Sequence, residues 1–119
     1  MAKRNEVVFT GSVSWTENEN SVETLDVAVP SLAPDEGKQY LVSVKNGSAV
    51  VDLTVSVANL VAFDSTPEAA EVTSFTAAAS AKVGKVVTGF PLGTSGRLSF
   101  TKSAATAAAF SAYVEIRRA

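Results

Sequence analysis

Twelve carboxylates, ten basic side chains and two tyrosines are the groups in this 119-residue chain able to take part in acid–base or ionic chemistry. Cysteine and histidine are absent. Their absence from the sequence removes disulfides, Ser-His-Asp and Cys-His nucleophile sites, HExxH zinc sites and imidazole acid–base catalysis together. What remains is carboxylate, lysine or tyrosine chemistry. A glycosidase needs two carboxyl groups roughly 5 to 9.5 Å apart, one of them with its pKa raised by burial. The pairs on offer are Glu17 with Glu19 in a polar loop, Asp35 with Glu36 in a turn, and Asp26 and Asp52 on outward strand positions. None has an apolar setting, and no enzyme is expected. The cluster TENENS at 16–21 crowds the oxygens of Glu17, Asn18, Glu19 and Asn20, as a hard cation such as calcium requires, but lacks the D-x-D-x-D-G spacing of a dedicated loop. It reads as a solvated turn. Gly93 and Gly96 in PLGTSG are not followed by the GK[ST] of a phosphate loop. Neither a metal nor a cofactor is expected.

Aromatic rings are the other chemistry to place, because sugars stack on them. Trp15, Tyr40, Phe90 and Tyr113 are the candidates. Strand alternation turns Trp15 and Tyr40 inward and leaves Tyr113 on an outer face, so Tyr113 is the one candidate ligand contact.

The elements that must position these groups are short strands. Residues 39–58, QYLVSVKNGSAVVDLTVSVA, hold two alternating runs around Asn46-Gly47, which predicts a hairpin with a type I′ turn. Tyr40, Val42, Val44, Val51, Leu53, Val55 and Val57 are its apolar face. Before it, strands are predicted at 7–15, with Val7, Phe9, Gly11, Val13 and Trp15 inward, and at 22–29, ended by Pro30. Gly11 reads as a bulge or a close backbone approach. The turn Pro34-Asp35-Glu36-Gly37 leads into the hairpin. After it, 59–70 breaks the alternation; Thr66-Pro67-Glu68 reads as the opening of a helical turn, and Leu60, Val61 and Phe63 as a core cap or a contact with another chain. Further strands are predicted at 71–78, at 82–90 as an edge or bent strand rather than a central one because of Gly84 and Gly89, at 97–102 and at 110–118. The small residues of 103–109 suit a tight crossing or a subunit contact, and Arg117-Arg118 reads as a basic pair that blocks edge pairing.

About eight strands with little helix predict an all-β fold, an antiparallel β-sandwich of jelly-roll or immunoglobulin-like type. The length fits one domain, at 6–119, preceded by a polar arm at 1–5. A net charge of −2 argues against a general nucleic-acid binder. No apolar run is long enough to cross a bilayer, and the start MAKRNEVVF lacks the apolar stretch of a signal peptide, so the expected place of synthesis and residence is a cytoplasm.

In the arm MAKRNEVVF, the strands YLVSVKNGSAVVDLTVSV and the small-residue tail SAATAAAFSAYVEIRR, the chain resembles small bacteriophage virion proteins of the head decoration, or cement, type. The resemblance implies a structural role in the virion, a homo-oligomer with a trimer favoured, and a major capsid protein or other virion protein as partner, with neither nucleic acid nor membrane bound. It puts partner contacts at Lys3, Arg4 and Asn5 on the arm and at Leu60, Val61 and Phe63. A tail or fibre component is the nearest variant, and a carbohydrate-binding sandwich using Tyr113 is the alternative of a different class.

Overall fold

The computed structural model describes residues 6–29, 39–63, 66–90, 95–106 and 108–119, the side chains of 61–63, 66 and 67 excepted. The expected arm 1–5, the turn at 34–37 with Asp35 and Glu36, Pro30, and the first four residues of PLGTSG lie outside the described residues. Eight strands follow in order: β1 (Val7–Trp15), β2 (Glu23–Ala28), β3 (Gln39–Asn46), β4 (Leu53–Phe63), β5 (Thr66–Ala77), β6 (Lys82–Thr88), β7 (Ser95–Lys102) and β8 (Phe110–Arg118). They form two four-stranded antiparallel sheets, β1-β8-β3-β6 and β2-β7-β4-β5. The first and last strands are neighbours, and successive strands mostly alternate between sheets. This is jelly-roll order, which separates the two sandwich types that the strand pattern left open. Among the described residues no helix is long and apolar enough to cross a membrane.

The core is the set of inward positions. Val13 and Trp15 of β1, Tyr40, Val42 and Val44 of β3, and Ala112, Val114 and Ile116 of β8 meet Val27 of β2, Leu53, Val55 and Val57 of β4, and Leu98 and Phe100 of β7. Trp15 stacks on Phe110 at 4.6 Å between centroids and meets Phe100 edge-on at 6.5 Å. Its indole N–H donates to the carbonyl of Ser21 at 2.9 Å, which ties the 16–22 loop to the core and satisfies a donor that burial would otherwise strand.

Four expectations are corrected. Asn46-Gly47 does not turn a hairpin: β3 and β4 lie in different sheets, and neither residue has the positive φ of a type I′ turn. The pair instead begins a crossing between sheets. Asn46 is fully buried (0% exposed), and its amide donates to the carbonyls of Val51 at 2.8 Å and Ala77 at 3.1 Å while its oxygen accepts the N–H of Ser48 at 2.9 Å. Gly47 passes so near β8 that its N–H donates to Ser111 at 2.9 Å, and any Cβ would overlap that carbonyl oxygen. Second, the described residues of 59–70, that is 59–63 and 66–70, are strand and neither irregular nor helical: β4 and β5 pair antiparallel from Leu53↔Ala77 to Phe63↔Thr66. On β4 the alternation is masked because Val57, Ala58 and the polar Asn59 are all buried in succession although β4 stays in step with β7, and on β5 it is broken by the extra residue Val72, which the pairing skips. Third, the bulge of β1 falls at Val8 and not at Gly11, which stays in register; what is close there is side chain and not backbone, since a Cβ at Gly11 would come within 3.0 Å of Leu25 and 3.1 Å of Phe9. Fourth, Arg117-Arg118 guards no edge, since β8 is an interior strand; Arg118 is 9% exposed, with its guanidinium 3.7 Å from Glu6. The edge assignment of β6 agrees with the structure.

Asn46→Ala leaves the carbonyls of Val51 and Ala77 and the N–H of Ser48 without their partner. It should lower stability by about 2–4 kcal/mol, read as a lower urea midpoint at unchanged slope. A loss under about 1 kcal/mol would show that water or relaxation replaces this corner.

Candidate functional site

Outward positions on β1, β8, β3 and β6 build a groove across the first sheet. Register alone places Thr10, Glu115, Ser43 and Gly84 in one row, and Ser12, Tyr113, Lys45 and Lys82 in the next. The first row is low. Ser43 is only 9% exposed although it faces outward, and a Cβ at Gly84 would come within 3.1 Å of Leu41 and 3.2 Å of the Ser43 hydroxyl. The second row stands higher, with Tyr113 56% exposed. The result is an open groove of about 320 Å³, floored by Ser43 and walled by Tyr113, Lys45, Lys82 and Glu115.

Its charges are arranged unequally. Glu115 accepts from the Arg117 guanidinium at 2.6 Å, two residues along the same face of β8, and this contact, with a smaller part from Lys82, holds its carboxyl below the usual range. Lys45 and Lys82 face each other in register, and their ammonium groups form no ion pair among the described residues. Like charges placed directly opposite on neighbouring strands repel. The groove therefore presents positive charge beside an exposed aromatic ring, in a chain whose net charge is −2.

The 16–22 loop lies elsewhere and uses its acids internally. Asn18 adopts the left-handed conformation (φ 62°) that closes the turn. One oxygen of Glu19 accepts from the N–H and hydroxyl of Thr16, each at 3.1 Å, and the other from the Ser21 hydroxyl at 2.5 Å; that hydroxyl is also 3.2 Å from Glu23. Lys102 reaches across to the carbonyl of Glu19 and the side chain of Asn20, and passes over the Phe110 ring. Among the described residues no three potential metal-binding side chains converge. On the second sheet, Asp26 and Arg97 form a cross-strand ion pair at 2.7 Å.

Of the residues singled out from sequence, Tyr113 takes the outward position expected, while Trp15, Tyr40 and Phe90 are buried. Lys3, Arg4 and Asn5 lie outside the described residues. Leu60, Val61 and Phe63 stand on the far half of β4 opposite Ala69, Glu68 and Thr66, and Leu60 is half-buried. Of those that the structure describes, only Tyr113 lines the groove. Lys45, Lys82 and Glu115 were missed, since only the register of β3 against β6 and β8 makes them neighbours. No protein-family model matches the chain, and no curated protein matches it in sequence.

The shared hydrogen bonding of Glu23 and then the Ser21 hydroxyl and Thr16 amide lowers Glu19 from 4.5 to about 2, while the same contact raises Glu23. Glu19 thus contributes stability that is present above pH 4.5 and lost as pH falls toward 2; Glu23 contributes the reverse, present below its unfolded value and lost as pH rises through its raised one. Carboxyl ¹³C titration should find Glu19 far below Glu23, and Glu23→Ala should return Glu19 toward the ordinary range. Equal midpoints for the two in the unaltered protein would show that the contact is not formed.

Proposed function

We propose that this domain is a structural protein of a bacteriophage particle, a head decoration protein that strengthens the shell through contacts with the major capsid protein. The observation that carries the reading is the strand order β1-β8-β3-β6 over β2-β7-β4-β5. Jelly rolls of this order recur in viral capsid and lectin domains. Fold analogy supports an architecture alone, and the contacts with the shell are placed on the arm 1–5 and on Leu60, Val61 and Phe63. A protein that binds across two capsid subunits stabilises the assembled shell by mass action, and a trimer repeats each modest contact through effective concentration. A tail or fibre position in the same kind of particle uses the same physics.

A second reading, carbohydrate binding, is favoured by one specific feature: Tyr113 projects from a groove flanked by hydrogen-bonding groups. A partner-binding sandwich and a sugar-binding one differ in what they retain. Light scattering of the full chain should give a trimer that persists on dilution, and the trimer should co-sediment with undecorated shells of the encoding phage. Deleting residues 1–5 should weaken that co-sedimentation at least threefold. A chain that stays out of the shell pellet at micromolar concentration would overturn the virion reading.

A further inference from the structure

We infer that the groove on the first sheet is a binding site for an acidic saccharide, with a carboxylated pyranose ring laid on Tyr113 and its carboxylate held between Lys45 and Lys82. The inference rests on the carbohydrate reading and adds to it the charge class of the sugar.

Three features of the groove carry it. The first is the opposition of Lys45 and Lys82 on β3 and β6. An anion seated between two facing ammonium groups removes their repulsion and adds two charge-assisted hydrogen bonds. A neutral ligand does neither. The second is the position of Tyr113, the register partner of Lys45 on the opposite side from Lys82. A ring 56% exposed offers an apolar face to the C–H edges of a sugar at the place where the carboxylate would be anchored. The third is size and lining. At about 320 Å³ the groove is at the small end of ligand sites, and it suits one or two sugar rings. The Ser43 and Thr10 hydroxyls and the Glu115 carboxylate supply donors and acceptors for ring hydroxyls.

Glu115 does not cancel the positive charge. One of its carboxylate oxygens accepts from Arg117 at 2.6 Å, so among the described residues the groove and its edge hold Lys45, Lys82 and Arg117 against this one acid, whose other oxygen is left to accept from a ligand. The low floor also needs its residues. A side chain at Gly84 would crowd Leu41 and Ser43 and raise the floor beside the two lysines.

The test uses the full chain and α-1,4-linked digalacturonate, with neutral galactobiose as control, followed by ¹H–¹⁵N correlation spectra. Digalacturonate should shift the amides of Lys45, Lys82, Tyr113 and Glu115 and bind at least tenfold more tightly than galactobiose in low salt. Most of that preference should vanish in 0.5 M sodium chloride, where charges are screened within a few ångströms. Lys82→Gln and Lys45→Gln should each cost threefold or more for the acidic sugar and little for the neutral one, whereas Tyr113→Ala should weaken both. All three positions are exposed, and the same spectra report that the fold is kept. Equal affinity for the two sugars overturns the acidic inference while the carbohydrate reading stands. Silence of these amides toward both sugars overturns the two together. Tighter binding of hexaglutamate than of digalacturonate at the same amides would assign the groove to an acidic protein segment and overturn the inference as well.

Discussion

The fold depends on a buried amide. β3 and β4 lie in different sheets, so the chain must cross the edge of the sandwich between them, and the polar backbone there has to be satisfied away from water. Asn46 does this with its side chain, while its own N–H donates to Ala81 at 2.9 Å. The crossing then gathers its neighbours: Ser48 accepts the N–H of Ser80 at 2.8 Å, and Asp52 exchanges bonds with Ser103 and accepts the N–H of Ala79 at 3.0 Å. The ends of β5 and β7 and the starts of β6 and β8 are fixed against one another at this corner. Hydrophobic burial holds the sheets together without direction; these bonds set where each strand begins.

That register makes the outer face of the first sheet. A strand slip of one residue would turn Tyr113 inward and Val114 outward, and the groove would be lost with the core. Ser43 and Gly84 lie low because they share one row on adjacent strands, and Lys45 and Lys82 meet because they share the next. Positioning of the site is thus a consequence of the same pairing that closes the sandwich.

Alternation made most strands legible. Val13 and Trp15, Tyr40 to Val44, Leu53 to Val57 and Ala112 to Ile116 show their inward faces in the residues themselves, since a half-buried strand requires period two. Where the physics became non-local, reading failed. Asn46-Gly47 carries the local chemistry of a tight turn, but the tertiary demand for a buried amide and a backbone passage beside Ser111 used both residues differently. The pairing of β4 with β5 was hidden because Val57, Ala58 and Asn59 are buried in succession on β4 and the extra residue Val72 interrupts β5, so neither strand keeps a clean period of two. Tyr113 was legible from its strand alone. Lys45 and Lys82 were not, as nothing in the chain tells that two lysines 37 positions apart face one another.

The place of β8 has a consequence for biosynthesis. It is the last made of the eight described strands and yet lies between β1 and β3, and among the described residues it is the only strand that β1 pairs with. Until it arrives, β1 has no hydrogen-bonding neighbour and β3 shows an open edge. Such long-range pairing is slow to form, and unpaired edges are the sites at which nascent chains associate wrongly. The sandwich therefore closes only once β8 has been made, and the time between emergence of β3 and docking of β8 is the interval in which another chain competes for the same place.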